Sequence, residues 1–187
     1  MTISVETEAE PTLKTEAEPS SVAELDSEEL AFFRAPPPPG RSRESRIVLD
    51  AEGRFTQDGA PFAHAKLAQA FHRWIGRHPE DGRYILMNGL DWSYFTVLDA
   101  PFFVRAVHER DGALWLTLSD DSEEPLDPAR VRVAESGALY TQVKAGTRGG
   151  PYEAKLTRHA QAALAPWLDE RDGVPILRIG DRELPLG

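Results

Sequence analysis

An Asp-Gly pair at 111–112 stands between two runs, 102–108 and 113–118, rich in Val, Leu, Phe and Trp. Residues of that kind suit a pleated, half-buried surface. A two-residue connection needs positive φ at both positions, which Gly takes freely and Asp tolerates, and it folds the flanking runs back on each other as an antiparallel hairpin. Nothing else constrains the fold as strongly, because the turn fixes a register near the middle of the chain. Further apolar runs at 47–49, 84–87, 94–98, 131–134, 139–144 and 152–156 read as strands, with a turn at Glu52–Gly53 and a closing hairpin of 176–179 and 183–186 around Gly180–Asp181. The acidic run 119–127 reads as a loop.

Two segments follow the helical period instead. In 64–76, Leu67, Ala70, Phe71, Trp74 and Ile75 form one apolar stripe. A second helix starts after Thr157, a suitable N-cap, and turns Ala160, Ala163, Leu164, Trp167 and Leu168 inward; Pro166 should kink or re-start it. About nine strands and two helices, without strict strand–helix alternation, predict an α+β fold of mainly antiparallel sheet rather than a doubly wound parallel one. The organisation expected is an acidic tail over 1–45, a helix-plus-strand lobe over 46–98 and a β-rich lobe with one helix over 99–187.

The tail differs in composition from the rest. TEAEP occurs at 7–11 and again at 15–19, and a stretch so poor in aromatic and branched residues reads as disordered. Residues 20–35 carry capping-box spacing at Ser21 and Glu24 and an apolar face of Val22, Leu25, Leu30 and Phe33. They predict a short amphipathic helix that either docks on its own body or serves a partner, before Pro36 to Pro39 stop it.

Charge excludes some functions. The chain of 187 residues has a net charge of −10; residues 1–45 hold ten acidic side chains against four basic. Such a balance argues against binding to nucleic-acid backbones, which needs cations to release counterions, and against anionic membrane surfaces. The chain has no cysteine. It therefore has no disulfide and no thiolate chemistry, and together with the absence of a secretory-type N-terminus this reads as a cytoplasmic protein.

Four motifs in order carry a resemblance: GRFTQDGAPF (53–62) leading into a helix, Asp99-Ala100-Pro101-Phe102 between strands, Tyr152-Glu153-Ala154-Lys155 before the second helix, and Leu184-Pro185-Leu186-Gly187. Over 46–187 the chain is similar to the bacterial domain-of-unknown-function 1285 (DUF1285) family. It departs from the family pattern at Asn88–Gly89, at Asp91–Trp92 and at Pro166. The resemblance implies a two-part body and no assigned activity.

Six residues are candidates for a site: Asp91, Asp99, Arg105, Glu153, Lys155 and Arg158. Asp99 has two readings. Followed so closely by Pro101, it suits an Asx-turn in which the carboxylate accepts backbone N–H groups; converging with Asp91 and Glu153, it would supply acid–base chemistry. Glu153 and Lys155 share one face of a strand. Facing solvent they make a weak ion pair; facing a cleft with Arg158 they could grip an anion. The loop 146–150 is glycine-rich but lacks phosphate-loop spacing. The histidines form no H-E-x-x-H, so neither a metal nor a cofactor is expected. With no catalytic constellation, the leading expectation is a non-enzymatic binding or regulatory module for a small anionic ligand or a protein. The alternatives are a carboxylate-based hydrolase or isomerase, and a protein that recruits its partner through the tail.

Overall fold

Two six-stranded sheets share one topology, and a small third sheet closes the chain. The computed structural model describes residues 27–180 and 182–186. After helix α1 (Ser27–Arg34), strands β1 (Glu44–Leu49), β2 (Phe55–Gln57) and β3 (Ala60–Pro61) step outward as an antiparallel meander. Helix α2 (Ala65–Trp74) carries the chain to the opposite edge, and β4 (Ile75–Arg77), β5 (Tyr84–Met87) and β6 (Trp92–Val97) return to the centre. There β6 lies parallel to β1, giving the order β3-β2-β1-β6-β5-β4.

The second sheet repeats the plan. Strands β7 (Phe102–Arg110), β8 (Ala113–Leu118) and β9 (Glu123–Pro125) step outward, and a 3-10 turn at Pro128–Arg130 makes the crossing. Then β10 (Arg132–Val133), β11 (Leu139–Val143) and β12 (Tyr152–Leu156) return, with β12 parallel to β7. Helix α3 (Arg158–Leu164) packs on β7, and β13 (Leu168–Arg171), β14 (Val174–Ile179) and β15 (Arg182–Pro185) pair antiparallel.

The α+β class with mainly antiparallel pairing stands. At the key turn Asp111 has φ 54° and Gly112 φ 73°, as a primed hairpin turn requires. Thr157 caps α3 by accepting from the Ala160 N–H, and at Pro166 the helix gives way to a 3-10 turn, Ala165–Trp167.

Several expectations need correction. Among the described residues there are three α-helices and fifteen strands, many of only two or three residues. The run 119–127 is not all loop: Glu123 and Glu124 lie opposite Thr117 and Leu116 in β9. Leu168 belongs to β13, not to the second helix. Its hairpin partner is reached through Asp172–Gly173, at φ 53° and 80°, and periodicity missed the strand because Asp169, Glu170 and Arg171 are all charged. Leu67 is 37% exposed, and the buried face of α2 is centred on Phe71 and His72. Two central pairings are parallel, which no hairpin signal announces.

Helix α1 does dock. Phe33 is 5% exposed and packs with Ile85 and Trp92, while Arg34 pairs with Glu80 at 2.7 Å. The TEAEP pairs and the Ser21–Glu24 capping box lie outside the described residues. Among those described, no helix is long and apolar enough to cross a membrane.

The core has two main parts. Leu49, Phe55, Phe71, Leu86 and Phe95 fill one, and Val104, Leu116, Leu118, Leu156 and Leu164 are in the other. Strand β7 serves both: Phe102 enters the second and Phe103 the first. Side-chain alternation along a strand makes this division automatic.

Candidate functional site

The parallel seam between β7 and β12 sets the site. Lys155 is level with Phe103 there, and Tyr140 on β11 is level with Lys155. The Lys155 ammonium donates to Asp99 at 2.6 Å and to the Ala51 carbonyl at 3.0 Å. Tyr140 donates its hydroxyl to the same carboxylate, at 3.0 and 3.2 Å to its two oxygens. Arg132, level with Tyr140 on β10, sets its guanidinium 4.5 Å from the Tyr140 ring centre and binds Glu153 at 2.6 Å. One row of side chains therefore links Arg132, Tyr140, Lys155 and Asp99.

The electrostatics of this row suit charge placement better than proton transfer. The hydrogen bond to Asp99 raises the Lys155 pKa above its ordinary value. Burial, reinforced by that carboxylate, raises the Tyr140 hydroxyl as well. A lysine held charged and a tyrosine held neutral are poorly tuned as general bases near pH 7.

A cleft of about 430 Å³ opens beside the row. One wall is the β1–β2 turn. Asp50 fixes it, accepting from the Glu52 and Arg54 N–H groups at 3.0 and 2.8 Å. Gly53 lets the turn sit down on β7. Its φ is 81°, and a Cβ there would lie 2.9 Å from the Phe103 ring. Facing this turn are Gly137, Lys155, Arg158 and Gln161. Arg158 is exposed, and no side-chain hydrogen bond or ion pair engages it among the described residues. Glu52 also lines the cleft, with its carboxylate 3.2 Å from Arg54.

Four of the six expected residues thus fall in one neighbourhood. Asp99, Lys155 and Arg158 meet at or beside the cleft, and Glu153 is one step along the row. Asp99 makes no Asx-turn; its carboxylate is taken up by Lys155 and Tyr140. The other two lie elsewhere. Asp91 precedes β6 and pairs with Arg43. Burial works to raise its pKa, but Arg43 and a backbone N–H more than offset this and leave it lowered. Arg105 on β7 binds Gln69 at 2.9 Å and Asp121 at 3.3 Å. Sequence reasoning missed Tyr140 and Ala51, whose roles depend on strand register and on a backbone carbonyl.

The other motifs resolve as structure. In the glycine-rich loop, the Thr147 and Gly150 N–H groups donate to the Lys144 and Thr147 carbonyls, so these two donors are turned inward. Lys144 itself binds Asp120 at 2.7 Å and ties that loop to the acidic run. Among the described residues no three His, Asp or Glu side chains gather into a metal-binding group.

No protein-family model and no curated protein matches the sequence. Two solved structures do match by fold. A DUF1285 family protein from Silicibacter pomeroyi aligns with a TM-score of 0.58 at 20% identity, covering 84% of this chain and 93% of that one. A DUF1285 family protein from Shewanella baltica aligns with a TM-score of 0.52, also at 20% identity, covering 67% of this chain and 94% of the other. The fold is therefore that of the DUF1285 proteins, as the motif resemblance implied.

Proposed function

We propose that this chain, built on the fold of the DUF1285 proteins, is a non-enzymatic binding module for a small anionic ligand. One observation carries the reading: Arg158 stands in the cleft with no partner among the described residues, while Lys155 beside it is oriented by Asp99 and Ala51. A guanidinium matches the geometry of a carboxylate or phosphate and offers several donors. An ammonium fixed by two acceptors needs little reordering when a ligand arrives. The volume falls within the range of about 300–1,000 Å³ usual for ligand sites.

A carboxylate-based hydrolase or isomerase has less support. It needs carboxylates that converge, and Asp91, Asp99 and Glu153 are each tied to a different cation.

Thermal unfolding against phosphate, acetate, succinate and citrate tests the binding reading. Saturation at a hundred times Kd stabilises by about 2.7 kcal/mol, which for a chain of this size raises Tm by roughly 5–11 °C. The shift should vanish in Arg158→Glu. If no anion moves Tm, or if the variant keeps the full shift, the proposal fails.

A further inference from the structure

We infer that the anion bound in the cleft carries an aliphatic chain: the ligand class is a free medium-chain alkyl carboxylate. This rests on the binding reading above. A second depression of about 540 Å³ adjoins the cleft. Val133, Leu139, Ala162, Leu168, Pro175 and Leu186 supply most of its lining. The one carboxylate on it, Asp169, is occupied by Arg178 at 2.8 Å. Val133 is 45% exposed there, a large apolar side chain left open to water.

The two depressions share Gly137, Arg158 and Gln161. Arg158 and Gln161 are three residues apart on α3, so they lie side by side on one helix face. They form the ridge between a polar cleft, whose unpaired cation among the described residues is Arg158, and an apolar groove, and Gly137 brings no side chain to that boundary. An arginine suits such a ridge, since its methylene stem can lie along apolar surface while its head reaches the polar side. An occupant that matched only the cleft would leave the groove wet, and a purely apolar one would leave Arg158 unmatched. A chain with a carboxylate at one end satisfies both surfaces.

Calorimetric titration of the full chain with butanoate, hexanoate, octanoate and decanoate, each kept below its micelle concentration, tests this. Full burial of a methylene is worth about fourfold in Kd, and an open groove captures part of that, so affinity should rise about two- to fourfold per methylene. Ala162→Glu places a charge in the groove and should flatten the series while sparing butanoate. Val133→Asp, at an exposed position, gives the same readout if the first variant folds poorly. Arg158→Ala should weaken every member by a similar factor and keep the slope.

Decanol binding as tightly as decanoate would overturn the inference, as would a flat series with wild-type protein. A flat series accompanied by concentration-dependent dimerisation would mean that a second copy covers the groove, and would overturn it too. In the flat cases anion binding survives. If no member and no short anion binds, both readings fall together.

Discussion

Acidifying the protein from pH 7 to pH 5 should cost it stability through a single side chain, His72. The imidazole is 5% exposed, sits under Phe55 with ring centres 4.9 Å apart, and lies beside the Gly53 backbone. Its Nδ1 is buried with no partner. Adding a proton would bury a charge and a donor without an acceptor. Burial, with help from Arg105, accordingly lowers the pKa from 6.5 to about 4, against the opposing pull of Asp120 and Asp121.

Because the folded value lies below the unfolded one, the unfolded chain binds the extra proton between them. The contribution is whole above pH 6.5 and drains away as pH falls toward 4. The gap is worth about 3 kcal/mol in full, and about 2 kcal/mol of it should be gone by pH 5. For this chain length that lowers Tm by roughly 4–8 °C. The carboxylates with lowered pKa titrate mainly at lower pH. Comparison with His72→Leu, and with His72→Gln as a polar control, cancels the other histidines. Urea unfolding at pH 7, 6 and 5 gives the slopes. If wild type and both variants lose stability equally over that interval, or if NMR finds His72 titrating near 6.5, the reasoning is wrong.

Two further outcomes follow from the packing. Gly53→Ala forces a side chain into positive φ against the Phe103 ring; backbone strain alone costs about 1–3 kcal/mol, and calorimetry should show Tm lower by several degrees. Phe33→Ala removes the one buried side chain of α1, worth about 1.5–3 kcal/mol of docking. Hydrogen exchange over residues 27–35 should quicken far more than exchange in β8 or β12, and uniform quickening would contradict this.

What the sequence disclosed divides along physical lines. Features encoded within a few residues were legible: the Asp111–Gly112 turn, the Thr157 cap, the interruption at Pro166 and the shared face of Glu153 and Lys155. Features encoded across about fifty residues were not. The parallel seam that brings Lys155 to Asp99 and places Tyr140 beside them is a matter of register between distant strands. β9 and β13 were invisible for another reason: their pairing uses backbone groups, and their charged side chains carry no alternation to read. Arg158 was identified as a candidate from its place near Glu153 and Lys155 at a strand end and helix start, but its freedom from partners could be seen only once the neighbouring loops were in position.

Phe102 and Phe103 point in opposite directions from one strand, and that arrangement bears on any attempt to cut the chain. A scissor placed after Leu98 looks natural, because it falls between the two repeated sheets. Yet the upstream fragment would lose Phe103 from its interior, and the downstream one would present the same ring to solvent. The upstream half would lack one aromatic, and the downstream half would carry that aromatic uncovered. Melting of one half should therefore drag the other with it, and the intact protein should unfold in a single step.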